Sequence, residues 1–120
     1  MVVDAVAIIV IIVTTAVAED VLNEYMPNDA TIKKLADFFA MFSDSTRVKI
    51  ITALCLSKMC VNDLSVTLNI NQTTVSHQLK FLKTFGAVSS ERDGKIIYYS
   101  IKNDTINDVM LNGVNYLLQA

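Results

Sequence analysis

The stretch NQTTVSHQLKFLKTFGAVSSERDGKIIYYSI, residues 71–101, decides the fold because its hydrophobic period changes part-way. In its first half Val75, Leu79 and Leu82 recur at the spacing of one helix face. We therefore predict an amphipathic helix over about residues 72–84, with these three side chains directed into a core.

Turn-forming residues bound the two halves of this stretch. Asn71 is a favoured N-cap for the predicted helix, and Gly86 ends it. Farther on, Asp93-Gly94 separates two β-rich runs, 87–92 and 95–101, which is the strongest short-range signal for a hairpin. We predict a β-hairpin with Asp93-Gly94 as its turn.

Helical spacing also marks the flanking segments. Asp29 is placed to cap a first helix, which ends at Ser43–Ser45, and a second helix follows. A short third helix follows Asn62, and a last helix covers about residues 103–118. The link Lys58–Cys60 is predicted to be extended. Helix, helix, short helix, helix, hairpin, helix is the layout of a winged helix-turn-helix.

Residues 1–18 form an apolar leader before the domain, which we assign to residues 19–120. The β-branched residues of Ala5–Val13 leave helix and strand both open. The leader carries Asp4 and no Lys or Arg, unlike an export signal, and it meets Glu19 before reaching the roughly 20 residues of a membrane span. We expect it to be covered on the domain or across a dimer interface, without stable membrane association.

Charge is unevenly distributed over the 120 residues. The net charge of −2 and the pI of about 5.2 argue, taken alone, against a nucleic-acid binder. However, residues 45–102 carry eight basic and three acidic residues, a net charge of +5, with no acid between Asp63 and Glu91. Because a partner responds to the local field, this segment is the candidate nucleic-acid-binding part of the chain.

Short polar and basic groups occupy the face of the predicted helix 72–84 opposite its apolar stripe. They are Thr73, Ser76, His77 and Lys80. Hydroxyl, imidazole and amine groups can reach base edges and phosphates, whereas an ordinary solvated face more often pairs Glu with Lys. Arg92 and Lys95 on either side of the hairpin turn suit phosphates or the minor groove, although solvated tip charges are the simpler alternative.

The single histidine, His77, raises the question of a metal or catalytic role. No second histidine exists to complete a metal site, and no nucleophile is held against it by a third group. We therefore predict no catalytic residue, no metal site, no cofactor and no enzyme activity.

Four stretches together resemble one family. They are LADFFAMFSDSTRVKIITAL (35–54), MCVNDLS (59–65), residues 71–101 and the terminal helix. This set is similar to the ArsR/SmtB repressors. The resemblance implies a mainly α fold with a β-hairpin wing, a winged helix-turn-helix that dimerises through its first and last helices and leaves DNA when an effector binds.

The same resemblance implies roles for individual residues. The predicted helix 72–84 corresponds to the family's recognition helix, on which the resemblance adds Gln72 to Thr73, Ser76, His77 and Lys80 as DNA contacts. The predicted hairpin corresponds to the family's wing, and it matches the family at Arg92, Gly94, Lys95 and Tyr98. The apolar stripe of the last helix becomes the dimer interface, comprising Ile106, Val109, Met110, Gly113, Val114 and Leu117.

The sensing sites of the family match poorly. Its cysteine motif reads C-V-C or C-V-G, where this chain has Cys60-Val61-Asn62, and the last helix carries no histidine for the family's zinc site. Cys55 and Cys60 remain as effector thiol candidates for a thiophilic ion or an oxidant. The alternative is that both are small buried hydrophobes.

These observations predict a cytoplasmic, homodimeric repressor that binds an inverted-repeat operator in double-stranded DNA. The alternative is a winged-helix module that binds a protein or a membrane through its leader and does not bind DNA. The acid-free recognition helix disfavours that alternative.

Overall fold

The computed structural model describes residues 4–119 and has the predicted order of elements. The helices are α1 (Ala5–Tyr25), α2 (Asp29–Ala40), α3 (Ser45–Leu56), α4 (Val61–Leu68), α5 (Gln72–Thr84) and α6 (Asp104–Gln119). The strands are β1 (Met59–Cys60), β2 (Val88–Asp93) and β3 (Ile96–Ile101). The chain has a winged helix-turn-helix fold, mainly α with a β-hairpin wing.

The apolar leader is helical from Ala5. Asp4 caps α1, since its Oδ1 accepts a hydrogen bond of 3.1 Å from the backbone N–H of Val6. Residues 1–3 of the predicted leader lie outside the described residues. The helix continues to Tyr25, past the predicted domain boundary at residues 18 and 19, while the chain divides into compact units at Leu35 and Ala36. The division into 1–18 and 19–120 stays a prediction.

By length and composition alone, α1 is the one helix among residues 4–119 that could cross a membrane. It has 21 residues, none of them buried, and apolar side chains on all sides. Its uncharged part, Ala5–Ala18, measures about 21 Å, against roughly 30 Å of hydrocarbon in a bilayer. Glu19 and Asp20 follow directly, so a full span would bury charge, and the absence of stable membrane association stays our prediction.

The hydrophobic core lies in the unit that begins at Ala36. The three predicted inner side chains of α5, Val75, Leu79 and Leu82, are each 0% exposed, which confirms the assigned face. They pack with buried residues from the other elements. These are Met41, Ile50, Ile51, Ala53, Leu54, Leu64, Ala87, Val88 and Ile106. The recognition helix is therefore held by apolar burial along its whole inner side.

The wing is a three-stranded antiparallel sheet in the order β1-β3-β2. The predicted extended link supplies β1, which pairs Met59 with Tyr99 and Cys60 with Tyr98. In the hairpin Asp93 pairs with Ile96, so the turn consists of Gly94 and Lys95, with Gly94 at φ +65°. The predicted turn Asp93-Gly94 is wrong by one residue, and Lys95 lies in the turn instead of beside it.

The predicted helix caps have a mixed outcome. Asn71 caps α5 as predicted, because its side-chain oxygen accepts hydrogen bonds from the N–H groups of Thr73 (2.8 Å) and Thr74 (3.2 Å). At α2 the cap is Asn28, whose Oδ1 accepts from the N–H of Thr31 at 2.9 Å. Asp29, predicted to be the cap, is the first residue of the helix.

Candidate nucleic-acid interface

The helix-turn-helix consists of α4, a three-residue turn (residues 69–71) and α5. Asn69 ends α4 in the left-handed conformation at φ 53°, which asparagine tolerates better than most residues. The N–H of Ile70 then donates to the carbonyl of Ser65 at 3.1 Å. Leu64 of α4 is 0% exposed in the shared core, so the turn holds α5 at a fixed angle against α4.

The outer face of α5 is open to solvent. Thr73, Ser76, His77 and Lys80 are all exposed, and in the described part of the chain none of their side chains takes part in a hydrogen bond. Val75 and Leu79 on the opposite face are buried, which determines the side of α5 that faces solvent. The structure thus brings the four predicted side chains together on one surface, with their polar groups free for a ligand.

Gln72 differs from these four residues. It is exposed at the start of α5, and its Nε2 donates to Oδ1 of Asn62 at the start of α4, 3.1 Å away. This bond links the first turns of the two helices. Gln72 would have to give up or share that bond in order to read a base.

In the wing, side chains alternate between the two faces of β2, and this alternation determines which face carries each charge. Arg92 is exposed and pairs with Ile97, on the same face of β2 as Ser90. Lys83 near the end of α5 donates to the Ser90 hydroxyl at 2.6 Å, so this face looks toward α5. Glu91 and Asp93, the neighbouring acids, alternate to the other face, which leaves Arg92 without a carboxylate beside it on its own face.

Lys95 and Tyr98 complete the predicted wing residues. Lys95 is exposed in the turn, beyond the last residues of β2 that pair with β3. Tyr98 is half-buried opposite Cys60, and the Nζ of Lys58 lies 5.6 Å from its ring centroid. Tyr98 therefore supports the wing, while Lys95 is free to meet a phosphate.

The shared surface of α5 and the wing is electropositive. The charged side chains of α5 are all cations, and they are exposed. The acids of the wing lie on the face of β2 that is directed away from α5. A double-stranded DNA carries one negative charge for about every 1.7 Å of its axis, so such a surface matches it in sign. Winged helix-turn-helix proteins present to DNA a helix with a polar outer face and, beside it, a hairpin with basic side chains.

Comparison with known proteins identifies the family. The family model described as bacterial regulatory protein, arsR family, matches residues 44–90, which include α3, α4, α5 and the start of β2. The cadmium resistance transcriptional regulatory protein CadC of Listeria innocua is 37% identical over 105 residues, covering 85% of this chain and 88% of that protein. The chain belongs to the arsR family of bacterial regulatory proteins.

Solved structures agree with this arsR-family assignment at the level of the fold. The antimony-specific transcriptional repressor AntR superposes with a TM-score of 0.71 at 23% identity, over 78% of this chain and 86% of that one. A homodimeric winged helix-turn-helix DNA-binding domain from Mycobacterium bovis gives a TM-score of 0.68 at 22% identity, over 79% and 90% of the two chains. The predicted resemblance and the predicted fold are both confirmed.

The family also answers the question of enzyme activity. The matching family and the relatives are regulatory proteins, which confirms the prediction that this arsR-family chain is not an enzyme. Among residues 4–119 no group of three or more His, Cys, Asp or Glu side chains is placed to hold a metal ion.

The two cysteines have different surroundings, and both are free thiols. Cys55 packs against the core, and burial raises the pKa of its thiol, which favours the protonated form. Cys60 is half-buried at the N-cap of α4, where its Sγ accepts a hydrogen bond from the N–H of Asp63 at 3.4 Å. Of the two predicted thiol candidates, Cys60 is the one held at the surface of the helix-turn-helix.

The predicted dimer stripe of α6 is divided between two environments. Ile106 is only 4% exposed in the core of the single chain and offers no surface to a partner. The remaining five residues line an apolar groove of about 300 Å³ together with Phe42 and Val48. Val109 and Met110 are partly buried there, and Gly113, Val114 and Leu117 are exposed. The candidate dimer surface is therefore the stripe without Ile106.

Three side-chain hydrogen bonds that organise the surface of α5 and the wing were not predicted from the sequence. Asn62 accepts from Gln72, Lys83 donates to Ser90 of the wing, and Arg47 on α3 donates to Gln78 on α5. No local pattern marks them. Arg47, three residues after the N-cap Asp44, has the sequence pattern of an ordinary solvated charge, and only its distant partners distinguish it.

Proposed function

We propose that this chain is a homodimeric transcriptional repressor that binds an inverted-repeat operator in double-stranded DNA. The observation that carries the proposal is the exposed, acid-free outer face of α5, which lies opposite a fully buried inner face and beside a wing that carries Arg92 and Lys95. Two such helices in a two-fold dimer would enter major grooves about 34 Å apart. The name of the CadC relative, a transcriptional regulatory protein, supports the regulatory role.

The direct test is DNA binding by the full chain. Fluorescence anisotropy would be measured with a labelled fragment of the DNA immediately upstream of the chain's own gene, and with a scrambled fragment of the same composition. We expect affinity for the upstream fragment to exceed that for the scrambled one by at least about a thousandfold at physiological salt. Equal affinity for both fragments would contradict the proposal and favour an interaction module that does not read DNA.

His77 is expected to read a base edge. His77→Ala should weaken operator binding by roughly 1–3 kcal/mol and relax the preference for one base pair in each half-site, because a lost base contact removes discrimination at its own position. Ser76→Ala should act in the same way at a neighbouring position. The measurement is anisotropy against a set of operators with single base-pair substitutions.

Lys95→Ala is the contrasting variant. Loss of a phosphate contact in each protomer should weaken binding to all sequences alike and reduce the salt dependence, the slope of log K against log salt falling by about 2 for the dimer. Lys33→Ala, which removes one charge from exposed α2, should change neither quantity. Loss of specificity from Lys95→Ala and none from His77→Ala would reverse these two assignments.

We propose that the effector is a thiophilic ion or a thiol oxidant that acts at Cys60. Cys60 lines an open cleft of about 500 Å³ whose walls also include the predicted DNA contacts Gln72 and Lys95. A group attached to Cys60 would therefore lie between α4, α5 and the wing. Cys55 is the poorer candidate, because burial raises the pKa of its thiol and so disfavours the reactive thiolate.

Titration of the operator complex tests this proposal. Arsenite, cadmium or a mild oxidant is expected to lower operator affinity at least about tenfold in the wild-type chain, which corresponds to 1.4 kcal/mol. Cys60→Ser should abolish the response, and Cys55→Ser should leave it intact. An unchanged affinity in the wild-type chain would leave both thiols as packing residues and remove the thiol effector.

The cytoplasm is the cellular compartment that fits this function, because the operator DNA lies there. Reduced thiols also fit that compartment, since disulfides are rare there.

A further inference from the structure

Arg47 joins three helices through its guanidinium group. Its Nη2 donates to the carbonyl oxygen of Ala40 at the end of α2 (3.1 Å), and its Nη1 donates to Oε1 of Gln78 on α5 (3.3 Å). Its Cζ lies 4.4 Å from the ring centroid of Phe81, also on α5. The residue itself lies in the first turn of α3, where its backbone N–H donates to Oδ2 of Asp44 at 3.0 Å.

The partners of Arg47 on α5 lie next to the predicted DNA contacts. Gln78 follows His77, and Phe81 follows Lys80. Neighbouring residues on a helix point about 100° apart, so Arg47 holds the flank of α5 that adjoins its outer face. A change in that contact would rotate or shift the side chains that face DNA.

Apart from the hydrogen bonds near its two ends, Gln72 to Asn62 and Lys83 to Ser90, the other contacts of α5 are of a different kind. Val75, Leu79 and Leu82 are held by apolar burial, which is strong but non-directional, so it fixes which face is buried more firmly than the exact rotation of the helix. Hydrogen bonds from a planar guanidinium have preferred directions, and its stacking on Phe81 adds a second geometric constraint. Phe81 is in turn braced by Phe85 at a centroid distance of 4.6 Å.

The surroundings of Arg47 also show that it is not one half of an ion pair. Its three contacts are a carbonyl, an amide oxygen and a ring, all neutral, and its buried Nε has no hydrogen-bond partner within the described part of the chain. Arg47 is half-buried, and in the described part of the chain its guanidinium has no carboxylate partner, so ion pairing does not account for its position. The guanidinium instead connects α5 to the end of α2.

We propose that Arg47 is the positioning residue of the recognition helix: it sets the rotation of α5 through Gln78 and Phe81, with the α2 carbonyl of Ala40 as its anchor. The proposal rests on the proposed DNA-binding function, because the quantity it controls is the fit of α5 to its operator. Lysine cannot replace the residue, since an ammonium lacks the planar fork and the stacking face.

The test compares Arg47→Lys, Gln78→Ala and the double variant with the wild-type chain. Arg47→Lys keeps the charge, and Gln78→Ala removes only the partner at a half-buried site, so both are expected to fold. Each should lower operator affinity, by about tenfold for Arg47→Lys, while affinity for scrambled DNA changes less than about twofold. The double variant should lose no more than Arg47→Lys alone, because both substitutions break the same link.

Two results would overturn the proposal. One is an equal loss of affinity for operator and scrambled DNA, which would make Arg47 a phosphate contact. The other is an additive double variant, which would show that Arg47 and Gln78 act independently.

Backbone amide NMR shifts of the free chain provide a readout that does not depend on DNA. Arg47→Lys should move the amide signals of α5 around residues 77–81 and leave those of α6 unchanged. Shifts spread evenly over the core, or none at all, would contradict positioning. If the wild-type chain fails to distinguish operator from scrambled DNA, the proposed function has failed, and the amide shifts alone decide whether Arg47 positions α5.

Discussion

Leu79→Ala is expected to lower the free energy of unfolding by about 2–5 kcal/mol, the cost of removing a large side chain from a packed core. Leu79 is 0% exposed on the inner face of α5 and lies within the core shared with α3 and α4. A domain of this size has a total stability of roughly 5–15 kcal/mol, so the variant is expected to be marginal. Urea unfolding followed by circular dichroism gives the value directly.

Leu56→Ala is the matched control for this substitution. It deletes the same atoms from a side chain that is 83% exposed at the end of α3, so we expect a change of less than about 0.5 kcal/mol. Similar losses from the two variants would mean that the buried face of α5 is not where the structure places it. Operator affinity should fall with Leu79→Ala and not with Leu56→Ala, because α5 depends on that burial for its position.

The parts of the fold that could be predicted from sequence are those that local signals determine. Helix α5 has a capping side chain at Asn71 and three apolar residues at the spacing of one helix face, all within 13 residues, and both its bounds and its buried side were predicted correctly. The same holds for the existence of the hairpin. The capping hydrogen bonds and the period act over one or two turns, so no distant contact is needed to read them.

The hairpin turn shows where local signals become ambiguous. Both Asp93-Gly94 and Gly94-Lys95 are acceptable two-residue loops, since glycine suits the first central position as well as the second. The pairing of Asp93 with Ile96 identifies the turn that forms. The difference of one residue places Lys95 in the turn and moves the partner of Arg92 on β3 from Lys95 to Ile97, while each side chain of β2 keeps its face.

The residues that were missed depend on partners far away in sequence. Arg47 and Gln78, whose side chains are hydrogen-bonded, are 31 positions apart. The extended link at residues 58–60 was predicted, but its pairing with β3 was not, because Met59 pairs with the distant Tyr99. Ile106 shows a related limit. Helical spacing marks it as part of the apolar stripe of α6, but only the three-dimensional arrangement shows that this end of the stripe belongs to the chain's own core.

Val114→Glu is expected to convert the proposed dimer to monomers and to weaken operator binding by about a hundredfold to ten-thousandfold, because a monomer loses the second half-site and the gain from linking two sites. Val114 is 48% exposed in the apolar groove between α6 and Phe42 and Val48, and Leu117 beside it is 70% exposed. A carboxylate there would be buried without a partner in an interface that pairs this face with its own copy.

Asn115→Glu is the matched control, since it adds the same charge to the neighbouring exposed position outside the stripe. Sedimentation velocity at micromolar concentration should show a dimer for the wild-type chain and for Asn115→Glu, and a monomer for Val114→Glu. Affinity for a DNA fragment with only one half-site should be nearly the same for all three, because each recognition helix and wing is intact. A wild-type chain that sediments as a monomer, or a Val114→Glu chain that remains a dimer, would exclude this face of α6 as the interface and would direct attention to the exposed apolar surface of α1.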